Sequence, residues 1–237
     1  LTAAARAVHD RAMDLATRLE IEGFRALQRG RRGEAARKLA EAARLARDDP
    51  GRLANLGAAL ALAGDVAEAR ATLERAVGLE PPSAAAFYNL ALLDRAAGVL
   101  QAARERLERA LALDPSHRRA RFELGVVLME LGAHAAAIAA FTTVLAADPR
   151  DGDAAANLAR LLEVEGRFGE ALARWDAIAG DAALAGRVRC LVALGREAEA
   201  RDLVRARMAR QPAAGVALLK ALAGGPRGFL PRRLGGV

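Results

Sequence analysis

A glycine recurs every thirty-four residues along this chain, at Gly30, Gly64, Gly98, Gly132 and Gly166, with Gly195 after a shorter interval. Self-similarity at such a period means stacked supersecondary units rather than one globular core. Other combs keep the same phase. Small residues recur at Gly23, Gly57, Ala91, Gly125 and Ala159, and again at Ala35, Ala69, Ala103, Ala137 and Ala171. Large ones recur at Leu39, Leu73, Leu107, Phe141 and Trp175, and prolines at Pro81, Pro115 and Pro149. Each comb has a physical reading. Glycine breaks a helix and takes the positive φ of a tight turn between antiparallel helices. Small residues let paired helices cross closely, and the large residue fills the space between units. Proline ends a second helix, because it lacks an N–H and disfavours helical backbone before it. The apolar content is mostly Ala and Leu with 3% aromatic residues, which favours helix over strand. An all-α chain is expected.

The period and these residues resemble the tetratricopeptide repeat. The best-formed unit carries Phe87, Leu90, Ala91, Ala103, Leu107, Ala110 and Pro115. Its neighbours carry Leu56, Gly57, Ala69, Leu73, Ala76 and Pro81 on one side and Leu124, Gly125, Leu128, Ala137, Phe141 and Pro149 on the other. The resemblance implies a right-handed solenoid of helix-turn-helix units. They divide as 16–49, 50–83, 84–117, 118–151, 152–180 and 181–212. The first departs from the pattern, with Glu22 and Arg47 in place of Leu and Pro, and the last two are shortened or degenerate. Atypical ends suit terminal units acting as caps. Residues 1–15 are expected to extend the first unit as helix, 213–223 to form a capping helix and 224–237 a flexible basic tail.

Little in the sequence points to catalysis or metal binding. His9, His117 and His134 lie in separate parts of the array without partners at ligand spacing. No phosphate-binding loop or nucleophile elbow occurs. The single cysteine, Cys190, supports no disulfide and reads as a small buried group. A non-enzyme without cofactor or metal is expected. Leu124–Ala147 is long enough for a membrane span, but Gly132 divides it into two repeat helices, so no transmembrane segment is expected. The N-terminus shows no unbroken apolar leader, which gives a cytoplasmic reading; a start at Leu1 leaves open a targeting segment already removed. From Arg201 onward eight basic residues face one acid, Asp202, which accounts for the whole net charge of +7. The remaining chain is neutral and poor in aromatic residues, so nucleic acid is a disfavoured partner.

The resemblance also implies a ligand face. In this family the first helix of each unit lines a concave groove. The matching positions are Asn55, then Tyr88, Asn89, Leu92 and Arg95, then Arg119, Phe122, Glu123, Val126 and Met129, then Asn157 and Arg160. The ladder of Asn55, Asn89 and Asn157 resembles that in the repeat arm of O-linked N-acetylglucosamine transferase, which grips an extended peptide. A carboxamide offers donor and acceptor to a peptide unit, or bonds within its own helix. Tyr88, Leu92, Phe122, Val126 and Met129 form an apolar strip that serves either as ligand anchors or as inter-helix packing. The chaperone-tail clamp of other family members is absent, since Ala54 and Ala58 stand where it needs polar residues and Glu123 opposes an anion.

The expected function is a scaffold or adaptor that binds a peptide or partner-protein segment in this groove. The alternative is a substrate-selecting arm or regulatory subunit of a larger enzyme such as a glycosyltransferase. A second contact is expected at the C-terminus, where the apolar 213–223 precedes Phe229, Arg232 and Arg233. It would serve self-association, another protein or an anionic surface, including RNA; an inert tail is the other reading.

Overall fold

The computed structural model describes residues 3–46 and 49–210, with side chains from Asp10 onward. The expected capping helix 213–223 and the contact residues Phe229, Arg232 and Arg233 lie outside the described residues, as do Arg47 and the His9 side chain. Among the described residues there are twelve helices and no strand. They divide into two compact units, Leu1–Leu131 and Gly132–Val237. The first holds α1 (Ala3–Gln28), α2 (Arg32–Leu45), α3 (Pro50–Ala63), α4 (Val66–Val77), α5 (Ala84–Ala96), α6 (Leu100–Leu113) and α7 (Arg118–Glu130). The second holds α8 (His134–Ala147), α9 (Gly152–Val164), α10 (Phe168–Asp176), α11 (Asp181–Ala193) and α12 (Glu197–Arg210).

The periodic glycines make the turns. Gly30, Gly64, Gly98, Gly132, Gly166 and Gly195 all take positive φ, between +71° and +100°. The residue after the glycine donates its N–H back to the last helical turn, as in Arg31 to the Ala26 carbonyl, Asp65 to Leu60 and Val99 to Asp94. These bonds satisfy carbonyls that a helix end would otherwise leave orphaned.

A second comb starts the first helices. Asp49 Oδ1, Ser83 Oγ, His117 Nδ1 and Asp151 Oδ1 each accept the backbone N–H three residues on, at 3.0, 3.3, 3.2 and 3.0 Å. These N-caps also fall thirty-four residues apart.

In the first unit the core runs through Leu39, Leu53, Leu60, Leu73 and Leu90, then Ala103, Leu107, Ala110 and Val127. Leu73 sits where an added Cβ on Gly57 would lie 2.4 Å from its Cγ. In the second unit Phe141, Val144, Leu161, Trp175 and Cys190 are fully enclosed. Trp175 packs over Gly186, whose added Cβ would approach the indole to 2.3 Å. The apolar stretch from Leu124 is divided, because α7 closes at Glu130 and α8 opens at His134. Among the described residues no helix is long and apolar enough to cross a membrane.

Candidate functional site

The first helices α1, α3, α5 and α7 are tied to one another by polar bonds that, except for Arg95 to Glu123, span thirty-five residues of sequence. Arg52 Nη2 donates to Thr17 Oγ1 at 3.1 Å, and Asn55 Nδ2 donates to Glu20 Oε1 at 2.6 Å. Asn89 Nδ2 donates to the Ala54 carbonyl at 3.2 Å. Arg95 reaches from α5 to α7, where Nε and Nη2 donate to Glu130 Oε1 at 3.0 and 2.8 Å and Nη1 donates to Glu123 Oε2 at 3.2 Å. The Asn55 and Asn89 carboxamides therefore bond to the preceding first helix rather than to their own backbone. Each retains a second N–H.

The expected residues differ in what they offer. Asn55, Tyr88, Asn89, Leu92, Arg95, Phe122, Glu123 and Met129 are half-buried, and Arg119 is exposed. Tyr88 packs against the core around Leu107, and its ring lies 5.0 Å from that of His117. Val126 differs from expectation. It is 8% exposed, enclosed with Val127 and Leu128, and offers almost no surface to a ligand. In the second unit Asn157 Oδ1 accepts from Arg160 Nη1 at 3.1 Å, one turn along the same helix.

The electrostatics follow from this half-buried geometry. Burial raises the Glu123 carboxyl above the usual carboxylate range, outweighing the opposing pull of Arg95. The Glu130 carboxylate, then Glu123, holds the Arg95 guanidinium more firmly protonated. Burial also raises the Tyr88 phenol, and the nearby Glu123 adds to that shift while Arg119 opposes it. Tyr88, Arg119 and Glu123 thus share one electrostatic neighbourhood.

Three features were missed by sequence reasoning. Extending the same register to α1 places Thr17, Glu20, Ile21 and Phe24 at the positions the resemblance assigns to the groove, but Glu22 in the leucine position made that unit look like a mere cap. Asp94 is 3% exposed yet takes Arg70 Nη1 at 2.8 Å and Arg106 Nη1, joining α4, α5 and α6. Glu163 plays a similar part in the second unit, accepting from Trp175 Nε1 at 2.6 Å and from Arg189 Nε and Nη2 at 2.7 and 2.9 Å.

Residues 88–151 match one family model of the tetratricopeptide repeat and residues 128–183 match a second. No curated protein matches the chain by sequence. Among solved structures, PilF of Pseudomonas aeruginosa superposes with a TM-score of 0.73 at 19% identity, covering 90% of this chain and 98% of that one. YrrB, described as a TPR protein with an unusual peptide-binding site, superposes with a TM-score of 0.67 at 18% identity over 77% of this chain and 97% of its own. MamA of Desulfovibrio magneticus RS-1 does so with a TM-score of 0.58 at 26% identity, over 69% and 92%.

Proposed function

The chain belongs to the tetratricopeptide-repeat family, and from that premise we propose that it is a non-enzymatic scaffold holding a segment of another protein on the first-helix face of its Leu1–Leu131 unit. The observation that carries this reading is the make-up of that face. Asn55, Tyr88, Asn89, Leu92, Arg95 and Glu123 are all partly covered and partly accessible. Carboxamides alternate there with a tyrosine and a leucine. Tyrosine and arginine are the residues that anchor protein partners, and the spare N–H and carbonyl of each asparagine suit a peptide backbone. The likeness to YrrB supports the reading through its own peptide-binding site. Asn157 and Arg160 form a matching face on the second unit.

The test is affinity capture with mass spectrometry, followed by calorimetry on the captured segment. Asn89→Ala combined with Phe122→Ala is expected to weaken binding by about tenfold or more, with helix content unchanged. Full affinity in the folded double variant would remove this face from the binding surface.

A further inference from the structure

The outward face of α1 carries a charge pattern that the groove does not use. Arg11, Arg18 and Arg25 stand seven residues apart and Arg29 four further on, so all four fall on one ridge of the helix. All four are exposed, whereas Ala16, Leu19, Gly23 and Ala26 are buried on the opposite face. Ile21 and Phe24, at positions that face the groove by register, lie between the groove side and the ridge at 46% and 41% exposure. The α1–α2 turn adds exposed Arg31 and Arg32.

From Arg18 to Arg32 there are five arginines and two carboxylates. Both carboxylates are engaged by neighbouring helices. Glu20 accepts the Asn55 amide of α3 at 2.6 Å, and Glu22 pairs with Lys38 of α2 at 2.8 Å. Among the described residues only Arg31 of the five has an ion-pair partner, Glu34 at 3.4 Å. Asp14 and Glu22 fall on the same ridge between the arginines, and Arg25 acts on Glu22, so the excess of positive charge lies toward the turn, from Arg25 to Arg32, where no carboxylate intervenes.

We propose that this ridge docks on an anionic phospholipid surface, with α1 lying in the interface plane. Its arginines would meet headgroup phosphates while Ile21 and Phe24 dip among the upper acyl chains. A helix that carries exposed apolar side chains beside a row of cations is suited to that position, and long basic side chains reach headgroups while their stems stay in apolar surroundings. The shape favours lipid over other polyanions. A ridge is convex and has no recess for a partner's side chains, and one phenyl ring is too little to stack successive bases.

The experiment is flotation of the full chain with vesicles of phosphatidylcholine alone, or of phosphatidylcholine with about one third phosphatidylserine. Recovery is expected only with the anionic vesicles, and is expected to fall as salt is raised. R25Q/R29Q removes two surface charges and is expected to weaken partitioning by about tenfold or more. Phe24→Ser is expected to weaken it without altering its salt dependence. Circular dichroism of each variant confirms that the exposed positions were changed without unfolding. Absence of flotation at low salt overturns the proposal. So does flotation undiminished in R25Q/R29Q, which would place the contact elsewhere, as on the basic segment from Arg227 to Arg233. Capture of RNA homopolymers without vesicle binding would assign the ridge to nucleic acid instead.

Discussion

At Gly57 an added Cβ would lie 2.4 Å from Leu73 Cγ, whereas at Gly98 it would meet nothing within 4 Å. Gly98 is held by its φ of +75°, a conformation that costs an L side chain roughly 1–2 kcal/mol. Gly57 is held by packing, and overfilling such a crossing costs about 1–3 kcal/mol. Both glycine-to-alanine changes are expected to lower the urea midpoint, but only one should couple to a neighbour. Shortening Leu73 to alanine makes room for the Gly57→Ala methyl and has no bearing on Gly98→Ala. A double-mutant cycle checks this; additive Gly57 and Leu73 effects would show that the crossing is not tight. Cys190 gives a second test at this scale. It is fully enclosed, and burial pushes its thiol up to about 12 from an ordinary 9.0. The fold therefore favours the neutral thiol. That contribution is fully present below about pH 9 and is lost as pH rises from there toward 12. The native thiol is expected to resist disulfide reagents at pH 8, a mildly basic condition at which an exposed cysteine reacts readily. Prompt labelling of the folded chain would show that the site opens freely.

Between elements, periodicity decided what could be read. The paired helices and their turns were legible because glycine, alanine and the large residue recur as the same or similar types. The N-caps at Asp49, Ser83, His117 and Asp151 keep the same spacing, yet three residue types share one role, so the comb is invisible to a search for identity. Asp94 is harder still, because it breaks a comb. Its counterparts Leu60, Leu128 and Leu162 are buried leucines, and only the fold brings Arg70 and Arg106 to it. Removing one partner of a buried ion pair strands the others. The two arginine side chains are 36% and 25% exposed, which moderates the loss. Asp94→Ala is therefore expected to cost about 2–4 kcal/mol. Asp94→Leu should cost clearly less, since leucine fills the equivalent place elsewhere and the arginines can turn to water. Chemical denaturation of the two variants decides between these outcomes. If leucine proves as damaging as alanine, the ion network and not the filled volume holds α4, α5 and α6 together.

Across the whole molecule, helices pack on near neighbours in sequence: α1 on α2, α2 on α3, α3 on α4 and α5, and in the second unit α9 on α10 and α10 on α11. Stability in such an array is a sum of local terms rather than the property of one core. The same locality explains why the candidate site was only partly legible. Register alone assigns a position to a face, which placed Asn55, Asn89 and Arg95 among the first helices. It cannot weigh how far a neighbouring helix covers that position, so Val126 was expected at the surface and is enclosed. Locality also makes a prediction about unfolding. Trp175 is the only tryptophan, lies in the second unit and is 1% exposed, with its indole N–H held by Glu163. Its fluorescence therefore reports that unit, whereas far-ultraviolet circular dichroism reports all helices. Gly57→Ala, in the first unit, is expected to lower the dichroism midpoint while moving the Trp175 transition much less. Gly186→Ala, whose methyl would press on the indole, is expected to move the Trp175 transition most. Probes that diverge in this way mark a departure from two-state unfolding. Equal shifts in both probes for both variants would instead mean that the chain melts as a single cooperative body, with interfaces strong enough to spread a local loss over every helix.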